Sequence, residues 1–228
     1  MRRVRWLGAQ WPITMRTLAS RMKGRLFTPD SVDGFVIERV RDDCIEAHYI
    51  EKLSYQETVT DPFGEESVFE RVKYRQVEFT LYAEFPNIEL RDSHRNTRDF
   101  VNKLLELCNF SVTVEPVSVD LLGWVTRLEA ILEVRVMVDS LQVSGVELES
   151  GIHAKMLLKG DGDVRPALDR VSSKRKFELE KLQVKIPAGN RSIPVHLSNS
   201  ATARIPEDYW DEMLPALRKS LAVPRPAR

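Results

Sequence analysis

Two cysteines, Cys44 and Cys108, are the only thiols in this 228-residue chain. They are too few for a disulfide scaffold and both sit among apolar residues, so buried free thiols and a reducing compartment are expected. Glycine is sparse, at 10 residues, and never falls as G-x-x-x-x-G-K-[ST] or G-x-G-x-x-G. Gly160-Asp161-Gly162 is too short to enclose a phosphate chain, which argues against a P-loop nucleotide hydrolase. His48, His94, His153 and His196 are scattered, with no pair at the i, i+4 spacing that sets two imidazoles on one helical face. No nucleophile elbow and no pair of Cys-x-x-Cys motifs occur. No apolar run approaches the ~20 residues of a membrane span, and the N-terminus lacks a secretion signal's apolar stretch and cleavage site. A soluble cytoplasmic protein, without contact to a membrane, is therefore expected. Net charge is absent too: 34 Lys+Arg balance 34 Asp+Glu, against a general polyanion binder but not against a local patch.

What charge there is lies in zones. Residues 1–28 carry Arg2, Arg3, Arg5, Arg16, Arg21, Lys23 and Arg25 and no acid; residues 29–92 are acidic, and residues 151–228 are basic again. Residues 1–30 are read as a basic N-terminal arm, with Trp6 and Trp11 among the arginines and Pro12 and Pro29 interrupting any helix. A modest helical pattern, Leu18, Met22 and Leu26, runs through residues 15–26. Residues 31–222 are read as one α+β domain, and residues 223–228 as a disordered tail. A duplicated architecture, 31–130 and 131–222, is a hypothesis from the similar order of elements, with no residue-level repeat behind it.

The dominant stretch is residues 45–90, which predicts an unusually long β-hairpin. Ile45, Ala47, Tyr49, Leu53, Tyr55 and Val59 alternate with polar residues, the period-2 signature of a strand with one buried face. The turn is Asp61-Pro62-Phe63-Gly64-Glu65-Glu66. On the return strand Val72 and Tyr74 have even parity, whereas Val77, Phe79, Leu81, Ala83 and Phe85 have odd; the switch predicts a β-bulge at Arg75-Gln76. A first strand over 35–40 completes a meander.

Helices are expected after Asn96 or Thr97, after Asp120, over 164–173 and from Pro206 onward, the last with acids in its first turn and bases in its last. Strands are expected over 110–119, near 134–138 and 141–148, over 152–158, 177–186 and 192–197, with an extension through 201–205. The fold class is thus α+β, mostly antiparallel sheet with several helices packed on one face.

Candidate chemistry is thin. Asp92 and His94 share a loop, where acid–base pairs often sit, but solvation at the helix entry is the favoured explanation. Asp161 and Asp163 offer hard oxygen ligands, yet also a tight turn and a helix cap. Glu178-x-Glu180-Lys181 resembles a nuclease fragment superficially and reads as the polar face of a strand. No catalytic residue, metal ligand or cofactor is assigned, and the balance is against an enzyme.

Three readings of function remain. The first is a non-catalytic binding or adaptor subunit of a protein assembly, or a homo-oligomer, acting through strand edges and the arm, with Trp6, Trp11 and Phe63 as interface anchors. The second is a nucleic-acid binder, or a subunit of a nucleic-acid-processing complex, using Arg2, Arg3 and Arg5 with Lys174, Arg175 and Lys176 on phosphates. The third is a hydrolase with a dispersed active site.

Overall fold

The computed structural model describes residues 1–93, 97–149, 151–172 and 177–222. In chain order the first half holds β1 (Arg2–Gln10), α1 (Met15–Lys23), β2 (Asp33–Val40), β3 (Cys44–Thr60), β4 (Glu66–Tyr82), β5 (Ile88–Arg91) and α2 (Arg98–Leu107). The second holds β6 (Thr113–Pro116), α3 (Leu121–Leu132), β7 (Met137–Glu149), β8 (Ile152–Lys159), α4 (Arg165–Ser172), β9 (Glu178–Ala188), β10 (Arg191–Ser198), β11 (Thr202–Ile205) and α5 (Trp210–Ser220). Antiparallel sheet dominates, as the parity signals require. No helix among the described residues is long and apolar enough to cross a membrane.

Two compact units share the chain: Ala9–Val114, and Met1–Gly8 joined with Glu115–Arg228. In the first, β2, β3, β4 and β5 lie side by side. Phe35, Tyr49, Phe79 and Phe100 form its aromatic core, with the Phe79 and Phe100 rings 4.6 Å apart. Of the Leu18, Met22 and Leu26 pattern the first two lie in a helix, α1, whose Met15, Leu18 and Met22 are buried, while Leu26 lies beyond its end and is exposed. The Thr14 hydroxyl caps it, accepting from the Thr17 N–H at 3.2 Å. At Gly34 the segment before β2 presses in: a Cβ there would lie 2.6 Å from the Phe27 backbone. Both cysteines are buried and free, and burial, the largest cause, pushes both thiols above their ordinary value.

The long hairpin is present as 17-residue strands β3 and β4, roughly 55 Å each at ~3.3 Å per residue. Its register runs unbroken from Cys44↔Tyr82 to Thr60↔Glu66, with Glu51 opposite Arg75 and Ile50 opposite Gln76. The expected bulge at Arg75-Gln76 is therefore absent. The parity switch has another cause: only the proximal ends are buried, and beyond Glu51 and Gln76 nearly every residue is exposed. Freed from a core, that ribbon carries Tyr55, Val59 and Phe69 on one face and Val68, Val72 and Tyr74 on the other. The return strand also stops at Tyr82, and β5 is a separate short strand after a turn that contains a cis Phe85-Pro86 bond.

Two other boundaries differ. Phe110, expected to open a strand, is exposed with φ 57° just after α2, and the strand is confined to β6. The two strands expected between 134 and 148 are one, β7, bent where its pairing with β9 shifts between Val138 and Ser140.

In the second unit the sheet order is β1-β11-β10-β9-β7-β8. One face is apolar: Val4, Trp6, Ala203, Ile205, Val195, Leu197, Leu182, Val184 and Leu141 are buried there. Helices α3 and α5 pack together, and they contact β9 and β11 respectively. Trp6 meets Trp124 of α3 edge-on at 5.8 Å, and the Trp124 indole N–H donates to Ser220 Oγ at 2.9 Å in α5. Residues 2–10, expected within a loose arm, are thus a strand, because alternate residues Val4 and Trp6 find a core.

Candidate anion-binding face

Alternation that buries Val4 and Trp6 sends Arg3 and Arg5 to the other side of β1. Register then aligns them with the rest of the sheet. Arg3 pairs with Arg204, Arg204 with His196, His196 with Gln183, and Gln183 with Ser140. The neighbouring row is Arg5, Thr202, Ser198, Lys181 and Gln142. A groove of about 440 Å³ lies on this face, lined among others by Arg3, Lys181, Gln183, His196, Ser198 and Arg204.

Arg3, Lys181 and Arg204 bring positive charge to a lining of hydroxyl and amide side chains that also includes leucines, Leu157 among them. Lys181, His196 and Arg204 are exposed, while Arg3 and Arg5 are half-buried. Two acids touch these rows: Glu180 accepts from Gln142 Nε2, and buried Asp139 accepts through Oδ2 from Lys185 Nζ at 3.0 Å and Gln183 Nε2 at 3.3 Å. The hydroxyls of Ser198 and Ser200 bond each other at 2.8 Å. Desolvation within the groove, then the Arg204 charge, push the His196 imidazole below its ordinary value, with Asp139 opposing. Guanidinium groups, an ammonium and hydroxyl donors on one open surface suit an oxyanion or a chain of them. No Phe, Tyr or Trp is among the described residues that line the groove.

The residues singled out in the sequence are distributed as follows. Arg3 and Arg5 belong to the face. Arg2 does not: its guanidinium lies 4.2 Å over the Trp210 ring, on the helix side of the sheet. Trp6 is fully buried and so is unavailable as a surface anchor or a stacking platform. Trp11 is half-buried, its indole N–H donating to the Tyr82 carbonyl at 2.8 Å, which ties it to its own unit. Phe63 is 92% exposed at the hairpin turn, where Asp61 Oδ1 accepts from the Phe63 and Glu65 N–H groups at 2.8 and 2.9 Å. Lys174, Arg175 and Lys176 lie outside the described residues, as does His94.

The dispersed candidates stay dispersed. Burial would raise the Asp163 carboxyl, but hydrogen bonds from the Arg165 side chain and backbone hold it below its ordinary value; the Arg165 guanidinium lies 2.6 Å away. Glu180 is held down to about 2, first by its hydrogen bond from Lys155 and then by Ser144 and Gln142. Glu178 accepts from Asn199 at 2.7 Å instead of joining it. Among the described residues no three His, Cys, Asp or Glu side chains gather as a metal site would need.

Arg204, Gln183 and His196 were not singled out by sequence. The signal was present in the polar parity of residues 181–185, 192–198 and 202–204, but only the pairing order places those parities on one surface. No family model matches the chain, and a search of curated proteins finds no match.

Proposed function

We propose that this protein works by binding, and that the polar face of the β1-β11-β10-β9-β7-β8 sheet holds the phosphate backbone of a nucleic acid. One observation carries the reading: Arg3, Arg204 and His196 stand in a single cross-strand row, with Lys181 in the next. Cationic side chains aligned on one face raise its local positive potential, which attracts a polyanion. Phosphates fit these donors, and with no Phe, Tyr or Trp among the described residues that line the groove, contact to the backbone outweighs base stacking. Binding is then tolerant of sequence and steeply salt-dependent.

The test is titration of the whole chain with a labelled single-stranded oligonucleotide at about 50 and about 200 mM salt. Replacing Arg3, Lys181 and Arg204 together by Gln should weaken binding at least tenfold and flatten the salt slope by about 0.7 per lost phosphate contact. No binding by the native chain at low salt, or an unchanged slope in the variant, would overturn the reading.

A second reading, assembly with another protein chain, has its own support. The ribbon formed by the distal parts of β3 and β4 exposes Tyr55, Val59, Phe63, Val68, Phe69, Val72 and Tyr74 in one stretch of two strands. Contiguous exposed apolar side chains on a strand edge are a usual mark of an interface.

A further inference from the structure

We infer that the outer edge of β4 pairs with β4 of a second copy of this chain, antiparallel and about a two-fold axis. The inference rests on the assembly reading and is independent of the anion-binding face.

Backbone direction identifies the edge. The Tyr82 N–H donates to the Asn87 carbonyl, away from β3. Because the β3–β4 register is unbroken, every even residue of β4 points the same way: Glu66, Val68, Glu70, Val72, Tyr74 and Gln76 present N–H and C=O outward. Strand β5 uses this edge only from Glu78 to Leu81. Among the described residues no strand pairs with the remainder. It contains no proline, and Val68, Val72 and Tyr74 on it are 59%, 47% and 58% exposed. A β-prone edge with no strand across it is a template for one.

Charge selects the occupant and its direction. Glu65 just precedes the strand and Glu66 and Glu70 stand in its first part, whereas towards the body it carries Arg71, Lys73 and Arg75. A parallel copy would set like against like, whereas an antiparallel copy brings the acidic end of one strand against the basic end of the other. That makes the edge complementary to itself, the requirement of an isologous contact. The register that sets Phe69 against its own counterpart also sets Glu65 opposite Lys73, Val68 opposite Glu70 and Val72 opposite Glu66. Arg71 and Arg75 already hold Glu57 and Glu51 across the hairpin, at 2.8 and 3.1 Å, so the Glu65–Lys73 pairs are the new ones. The outer edge of β3 is less suited: there Lys52 donates to Val32, and beyond it stand Ser54, Gln56 and Thr58.

Sedimentation equilibrium on the full chain, free of nucleic acid, should show a concentration-dependent monomer–dimer equilibrium. Val72→Pro removes an outward N–H while sparing the β3–β4 ladder, and should leave a folded monomer. Lys73→Glu should weaken the dimer at least tenfold, and Glu65→Lys with Lys73→Glu should restore it; this pair decides the matter if the proline variant misfolds. A native chain that stays monomeric, or a dimer indifferent to all three variants, overturns the inference. Amide exchange separates the two levels of failure. Fast exchange at Val68, Val72 and Tyr74 in a monomer rejects self-pairing but keeps an open edge for another partner; slow exchange in a monomer removes the edge and with it the assembly reading.

Discussion

Arg3 and Arg204 face each other directly across the β1–β11 ladder, and Arg204 faces His196 across the next. Arg204 thus has a guanidinium on one side and an imidazole on the other, so its own charge is expected to weigh against the ladder and in favour of a bound anion, with opposite signs in stability and in binding. Arg204→Thr is expected to raise unfolding stability by about 0.2–1 kcal/mol while weakening oligonucleotide binding several-fold. Urea unfolding and an anisotropy titration on the same preparation check it; a variant both less stable and equally avid would refute the opposition.

His196 gives the pH dependence. Its imidazole is depressed by desolvation and by Arg204, so the folded chain binds fewer protons than the unfolded one between the depressed value and the ordinary 6.5. Stability contributed by that group is full above pH 6.5, falls as pH drops through this window, and levels off below it. His196→Gln should therefore lose less melting temperature than the native chain between about pH 7.5 and about pH 5. A bound phosphate favours the imidazolium, so native affinity should rise on acidification more than the variant's.

Arg91 and Glu89 make a buried pair on β5. The Glu89 residue is 0% exposed, and Arg91 donates to its Oε1 from Nε at 3.1 Å and from its terminal nitrogen at 3.0 Å, while also reaching Glu78 at 3.0 Å. Removing the guanidinium leaves a buried carboxylate without this cation. Arg91→Met is expected to destabilise by about 3–5 kcal/mol, and Glu89→Gln added to it should recover part of the loss. Thermal unfolding of the single and double variants distinguishes this from simple loss of packing, in which the second change brings no recovery.

Gly34 is required by approach, not by torsion. The Phe27 backbone lies where a methyl group would go, between the Phe35 N–H to Arg25 carbonyl bond and the Phe27 N–H to Phe35 carbonyl bond, each 2.9 Å. Gly34→Ala should cost about 1–3 kcal/mol, the range of an overpacked site. A near-native melting temperature would mean the 25–27 segment can retreat freely.

Much of the fold could be read from parity and punctuation. Both strands of the long hairpin, α1, α3, and the β9–β10 hairpin follow from period, caps and turn residues that act locally. The failures were at Arg75-Gln76 and in residues 1–10, and both concern what lies across from a strand. A switch of apolar parity signals a bulge when one face is buried throughout; here the far part of the ribbon has no buried face, so parity there obeys no constraint. Residues 2–10 looked structureless because the arginines dominate the composition, yet Val4 and Trp6 alternate with Arg3 and Arg5 as an amphipathic strand does. The candidate face was legible only in fragments, since Arg3, His196 and Arg204 meet through register between strands far apart in sequence.

That pairing of the first strand with the last has a consequence for synthesis. Ala9–Val114 can close as a unit while the ribosome is still at work, whereas Val4 must wait for Ala203 to emerge before it meets its partner across the ladder. Until then the Arg2–Arg5 segment of β1 lacks the strand that completes its sheet on the β11 side. A chaperone holding that short N-terminal segment, or a fusion that shields it, should raise the yield of native protein more than one placed at the C-terminus.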